Sequence, residues 1–263
     1  NPSFLGKNIS QSKVDSWYIK EHLKKSEDFL KRDSVIMERS ILSSAAFLYA
    51  ANRKIDPHML KTFAASYKKE KSLIVFLYAD WKTVGALGKE TPDPTLRKLL
   101  KNRFFAERYE DFYRNVLPFV YDIVSLFINV GTVSARKTVE ELKSEAVKAV
   151  ENNRLAQASL YCYKLERKPF FLLLKRNEKK GGFWQGITGG VKTNQTLKEA
   201  LFKEAQEELS LDLRPKDVVE SGHSFSFVGS EGYELNEYVF GYRLRPEDHF
   251  VLSDEHSESK FVS

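Results

Sequence analysis

Phe183–Leu213, FWQGITGGVKTNQTLKEALFKEAQEELSLDL, is the stretch whose reading decides the fold. After an aromatic lead-in and a Gly-Gly pair, Thr196 and Glu199 form a T-x-x-E capping box, in which each side chain satisfies a backbone N–H orphaned at a helix start. The spacing predicts a helix from Leu197 to about Leu209, with Leu201, Phe202, Ala205 and Leu209 on one side, available to pack on a sheet. Glu204, Glu207 and Glu208 then share a sector about 100° wide at one flank of that side. Unpaired carboxylates so close repel, and they sit near the negative end of the helix dipole. A divalent cation reverses the sign of both effects, and hard oxygen ligands suit Mg²⁺ or Mn²⁺. A solvated acidic helix face is the plain alternative for an isolated E-x-x-E-E; the Gly-Gly loop ahead of the helix argues against it here.

Outward from this stretch, LAQASLYCYKLE (Leu155–Glu166) and PFFLLLKRN (Pro169–Asn177) read as two strands joined tightly through Arg167–Pro169. Further strands are expected near Val218–Val228 and Glu234–Leu244. Nine of the 13 glycines follow Asn153, so a domain boundary is expected there, giving units 1–153 and 154–263.

These residues resemble the Nudix hydrolase family, whose box is G-x5-E-x7-R-E-U-x-E-E-x-G-U with U a bulky aliphatic residue. Aligned from Gly189, the chain supplies the glycine, all three carboxylates of the R-E-U-x-E-E core (Glu204, Glu207, Glu208) and the final aliphatic, Leu211. Gln195 stands for the first Glu, Lys203 for Arg, Ala205 for the aliphatic and Ser210 for the second Gly. Lys203 keeps the charge but not the planar fork of Arg, and Ser210 gives up the easy left-handed cap of Gly. The flanks LLLKRNEKKGGFWQGITGG, NEYVFGYRL and DEHSESKFV are similar to MutT-like and dihydroneopterin-triphosphate-hydrolase-like members. The resemblance covers about residues 156–263.

The resemblance implies an α+β fold: a Nudix α/β/α sandwich with a mixed sheet, here preceded by an all-α domain. It also implies a Mg²⁺-dependent pyrophosphohydrolase that cleaves a nucleoside diphosphate linked to another moiety, by water attack on phosphorus. Glu204, Glu207 and Glu208 would hold the metal. Glu207, Glu208 or Glu255 would supply the general base, with Glu234 and Glu237 as further candidates. Lys175, Arg176, Gly189, Gly190 and Lys203 would lie against the phosphates. The other reading is a Nudix-fold nucleotide or nucleic-acid binding or sensor module, weakened in catalysis by Gln195 and Lys203. Family members continue beyond the position of Ser263 into a closing helix, so a terminal segment is expected to be missing.

The first half reads as helical. Ile19, Leu23 and Leu30, then Ile41, Ala45 and Leu48, then Leu96, Leu100, Phe104, Tyr109, Phe112 and Val116 recur at helical spacing, as do Val139, Leu142, Ala146 and Val150. TPDPT (Thr91–Thr95) and Pro118 break the pattern. Leu73–Ala79, LIVFLYA, has strand-like content, but its helical neighbours favour a buried helix.

The net charge of +6 is uneven: residues 1–150 hold 26 basic and 18 acidic side chains, whereas residues 151–263 hold 16 and 18. Lys24, Lys25, Lys31, Arg32, Lys68, Lys69, Lys71, Arg97, Lys98, Lys101 and Arg103 make a nucleic-acid surface conceivable. Their interspersed acids, and the helical periodicity of Phe104, Phe105, Tyr109, Phe112 and Tyr113, favour a core with a dimerisation or cleft-shaping role instead. At 42% hydrophobic and 30% charged, the chain is excluded from the disordered and low-complexity classes. Its one cysteine, Cys162, excludes an internal disulfide framework and is expected to be buried, which suits a reducing, cytoplasmic setting. The five histidines show no zinc-ligand spacing. The richest apolar run, Leu117–Val130, is interrupted by Pro118 and Asp122 and is too short to span a bilayer. The chain opens on Asn1, so removal of a leading segment is expected.

Overall fold

The computed structural model describes residues 41–263, apart from 56, 70–72, 91–93, 133 and 194. Ile19, Leu23, Leu30, His22, Lys24, Lys25, Lys31, Arg32 and Lys71 lie outside the described residues.

The first half is built of short helices: α1 (Ile41–Ala50), α2 (Pro57–Lys69), α3 (Trp81–Leu87), α4 (Pro94–Leu100), α5 (Arg103–Asp111), α6 (Leu117–Tyr121) and α7 (Val139–Glu151). A π-helical turn, Phe112–Val116, carries α5 into α6. Leu42, Ala45, Leu60, Phe112, Tyr113 and Leu117 meet in a shared core. Phe104 departs from the expected buried set: it is 63% exposed, with the Arg108 guanidinium over its ring.

Leu73–Ala79 corrects the helical reading. It forms strand β1 (Ile74–Tyr78), paired in parallel with β2 (Ser125–Asn129). The reason is period two: Ile74, Phe76 and Tyr78 turn inward, and the Phe76 ring stacks on Tyr113 at 4.2 Å, whereas Val75 and Leu77 are exposed. The β-branched and aromatic content of the segment outweighs its helical surroundings. The helical half thus carries a small parallel ribbon with one face of β1 open to solvent.

The second half comprises β3 (Ala156–Leu165), β4 (Pro169–Arg176), β5 (Trp184–Gln185), β6 (Ile187–Val191), α8 (Leu197–Leu209), β7 (Val218–Val228), β8 (Glu234–Arg243) and β9 (His256–Val262). The strands form one seven-stranded mixed sheet. β3 pairs in parallel with β8 and antiparallel with both β6 and β4. β4 also pairs antiparallel with β5 and β9, and β7 closes against β8. This is the expected mixed-sheet architecture, and α8 has the expected bounds and capping box.

α8 lies on the sheet face that carries Ala158, Leu160 and Cys162 of β3 and Ile187 and Val191 of β6. Ala200, Leu201, Ala205 and Leu209 of the helix are fully buried there. Gly189 on β6 makes this contact feasible: a Cβ at that position would lie 2.0 Å from Glu204 Cγ. Cys162 is buried among the same residues, as expected.

The helical half joins the same core. Phe119 of α6 meets Tyr238 and Phe240 of β8 at 5.6 and 5.7 Å between ring centroids. Leu126 and Ile128 of β2 and Ala149 of α7 belong to the same buried cluster. Arg114 lies over the Tyr78 and Phe127 rings and donates to Ser226 (2.7 Å) and to Asn236 across the junction. Asp122, at the end of α6, accepts from the Leu197 N–H at 3.2 Å and so sets a carboxylate at the positive end of α8. The buried core therefore crosses residue 153. Among the described residues, no helix is long and apolar enough to cross a membrane.

α8 ends on Ser210 in the left-handed region, with φ 50°. Its N–H and that of Leu211 return to Gln206 O and Ala205 O at 3.0 and 3.2 Å, so the turn stays closed at a conformational cost that glycine avoids. Ser210→Gly is therefore expected to stabilise the fold by about 1 kcal/mol, since relief of the left-handed penalty exceeds the entropy glycine adds to the unfolded chain. A rise in the urea midpoint at unchanged slope checks this.

Candidate active site

The last turns of α8 carry Lys203, Glu204, Glu207 and Glu208. Glu204 is tucked against Gly189, and Glu208 is sunk further, with a side chain only 9% exposed. Glu207 stands outward at 56% exposure, paired with Lys203 one turn back. A loop from β8 folds over the end of the helix. The Val251 N–H donates to Leu209 O at 2.8 Å and the Ser253 N–H to Glu208 O at 2.9 Å, which brings Glu255 to the cluster. Glu255 is held by Arg176 at 3.1 Å and by Lys180 at 2.6 Å.

The electrostatics follow from this crowding. Burial, reinforced by the negative charges of Glu204 and Glu255, pushes the Glu208 carboxyl up to about 8. Burial also raises Glu204, with Glu207 and Glu255 adding to it and Lys203 opposing. Glu255 moves the other way, because the Lys180 hydrogen bond and the Arg176 charge favour its ionised form. Glu208 Oε2 is buried without a hydrogen-bond partner. Glu204 meets Lys203 Nζ at 3.5 Å, whereas the deeper Glu208 has neither Lys nor Arg in ion-pair contact, and Arg176 and Lys180 stand at its rim. Such an arrangement suits a cation together with a phosphate-bearing anion. Among the described residues, no three carboxylate, imidazole or thiol groups are drawn together closely enough to hold a metal as they stand. Glu207 is engaged by Lys203 instead, and Glu255 by Arg176 and Lys180.

Of the residues singled out in the sequence, Glu204, Glu208, Glu255, Arg176, Lys203 and Gly189 come together. Lys175 does not. Side chains alternate along β4, so Arg176 shares the inner face with the buried Leu172 and Leu174, whereas Lys175 turns to Glu258 (3.1 Å) and Glu178 (3.7 Å). The same alternation on β6 points Gly190 away from Glu204, toward Arg154. Gln195, at the position of the first Glu of the box, accepts from the Lys192 N–H at 3.0 Å and closes its own loop. Glu234 and Glu237 are committed elsewhere. Glu234 accepts from Tyr78 and from Arg114, and Glu237 accepts from Ser159 and Gln157. Trp184 packs under Lys260, whose Nζ is 3.9 Å from the ring centre.

Two site residues were not singled out. Lys180 reaches Glu255 from the single turn Glu178–Lys180, which ends on Gly181 at φ 105°. Its sequence signal is the K-K-G-G ending of the β4–β5 connection. His256 has a fully buried side chain with Nε2 3.8 Å from Glu208 Oε2. Its signal is its position beside Glu255 at the start of a strand, which a search for zinc spacing passes over.

Residues 154–263 match the NUDIX domain family model. No curated protein matches the chain. Among solved structures, a candidate NUDIX hydrolase of Listeria monocytogenes is 27% identical, with 41% of this chain and 77% of that one covered and a TM-score of 0.36. The dihydroneopterin triphosphate pyrophosphohydrolase of E. coli is 23% identical over 41% and 79%, with a TM-score of 0.35. A MutT protein of Methanosarcina mazei is 28% identical over 40% and 75%, with a TM-score of 0.33. The likeness rests on the family model and on the box residues rather than on these superpositions: residues 154–263 match as a NUDIX domain, preceded by a helical region that the family model does not cover.

Proposed function

We propose that this chain hydrolyses a phosphoric anhydride in a nucleoside diphosphate linked to another moiety, by attack of water on phosphorus. The observation that carries the reading is the pair of desolvated carboxylates, Glu204 and Glu208, with an orphaned oxygen on Glu208 and cations at the rim. Glu204, Glu207 and Glu208 would hold Mg²⁺ or Mn²⁺. When bound, the ion neutralises the diphosphate and lowers the pKa of coordinated water. Arg176 and Lys180 exchange Glu255 for phosphate oxygens, and Lys203 adds a third positive charge. Glu255, ionised and at the edge of the cluster, accepts the proton of the attacking water. Positioning and charge stabilisation then supply most of the rate. Residues 1–153 act as an accessory region that braces α8 and forms one wall of the cleft. The buried lone cysteine suits a reducing, cytoplasmic setting.

A panel of nucleoside triphosphates, nucleotide sugars and dinucleotides, assayed with Mg²⁺ for release of phosphate or nucleoside monophosphate, tests the reading. Turnover with at least one class is expected, reduced about 100-fold or more by Glu207→Gln or Glu208→Gln with the fold intact. No turnover with any member, together with tight binding indifferent to Glu208→Gln, would identify a binding module instead.

Metal-free stability is a second check. The Glu208 carboxyl lies near 8 when folded, above its ordinary 4.5, so the folded state retains a proton that the unfolded chain releases. Its stabilising contribution is full below about 4.5 and is lost as pH rises toward about 8. Relative to Glu208→Gln, the metal-free protein is therefore expected to lose stability across that window. Mg²⁺ added at pH 8 is expected to restore the melting temperature of the parent more than that of the variant.

A further inference from the structure

His256 is the first residue of β9, and its side chain is fully excluded from solvent. Both ring nitrogens lack a hydrogen-bond partner, and so does Glu208 Oε2, 3.8 Å from Nε2. Polar atoms buried on both sides of such a gap cost free energy that a sub-ångström closure recovers. The backbone is arranged for that closure, because Ser253, three residues before His256, already donates its N–H to Glu208 O. The same loop thus grips Glu208 by its main chain and faces its side chain with an imidazole. Arg176 and Lys180 also act on Glu208, but both are held by Glu255.

The geometry points to His256 as a positioning residue, whose Nε2–H bonds Glu208 Oε2 and so turns Oε1 toward the metal and the substrate. This rests on the hydrolase reading above and adds a fixed orientation for one of its carboxylates. A carboxylate on a helix end has several rotamers, and one locked by a buried donor presents its free oxygen without paying that disorder on each binding event. The imidazole serves here as a donor from a rigid ring rather than as a metal ligand or an acid. The inward fork of Arg176 cannot take its place while it is engaged by Glu255.

The test compares His256→Phe, which keeps the ring volume and removes the donor, with His256→Gln, whose Nε2 reaches a similar point. Mn²⁺ affinity is read from the free-ion EPR signal, and kcat and KM are measured on the best substrate of the panel. His256→Phe is expected to weaken Mn²⁺ binding about tenfold or more and to lower kcat with little change in KM. His256→Gln is expected to recover most of both. If Phe prevents folding, His256→Leu provides the same comparison. Apolar variants that fold and keep parental Mn²⁺ affinity and kcat would overturn the inference, as would a Gln variant no better than Phe. A parent protein that neither binds Mn²⁺ nor turns over any substrate would instead remove the hydrolase reading, so the two failures are distinguishable.

Discussion

The approach of α8 to β6 at Gly189 sets the rest of the site. With hydrogen in place of a side chain at that point, the helix settles far enough onto the sheet to bury Ala200, Leu201 and Ala205 completely. The same settling partly buries Glu204 and leaves Glu208 facing protein rather than solvent. Their unfavourable ionisation is thus a consequence of packing: apolar burial along one side of the helix carries the carboxylates inward on its flank. The burial of both carboxylates thus traces to that one close contact.

A second constraint comes from the loop after β8. Its backbone bonds to Glu208 and Leu209 hold Glu255 opposite the helix, and the β4–β9 pairing sets Arg176 across from His256. The site therefore draws on three regions far apart in sequence: β4 with the turn after it, α8 and the start of β9. Apart from Lys203, which shares α8 with the acids it pairs, opposite charges come from different elements. The acids come mainly from the helix and the other cations from the strand and its turn.

What could be read from the sequence divides along physical lines. Local signals served well: the Thr196–Glu199 capping box and the helical period fixed α8, and short alternating runs found β3, β4, β7 and β8. Leu73–Ala79 was misread because periodicity over so few residues cannot separate a buried helix from a strand; only its long-range pairing with β2 decides. Lys175 and Arg176 looked equivalent as neighbours, yet strand alternation sends them to opposite faces. Lys180 and His256 lie inside the flanks that carry the resemblance, but were not assigned a role. Their roles arise from tertiary proximity, which spacing along the chain does not encode. Gln195 and Ser210 show the converse, since each departs from the family pattern and each is absorbed locally, one by its loop and the other by a left-handed turn.

The contacts of Phe119, Arg114 and Asp122 with the second half carry a lesson about boundaries. Homology draws its line at residue 154, but hydrophobic burial does not, because Tyr238 and Phe240 complete their packing only against α6. A fragment trimmed to the family limits would bare two aromatic rings and strip one carboxylate from the first turn of α8. The buried core of this molecule is thus larger than the segment the family model covers, and the two halves share one apolar interior.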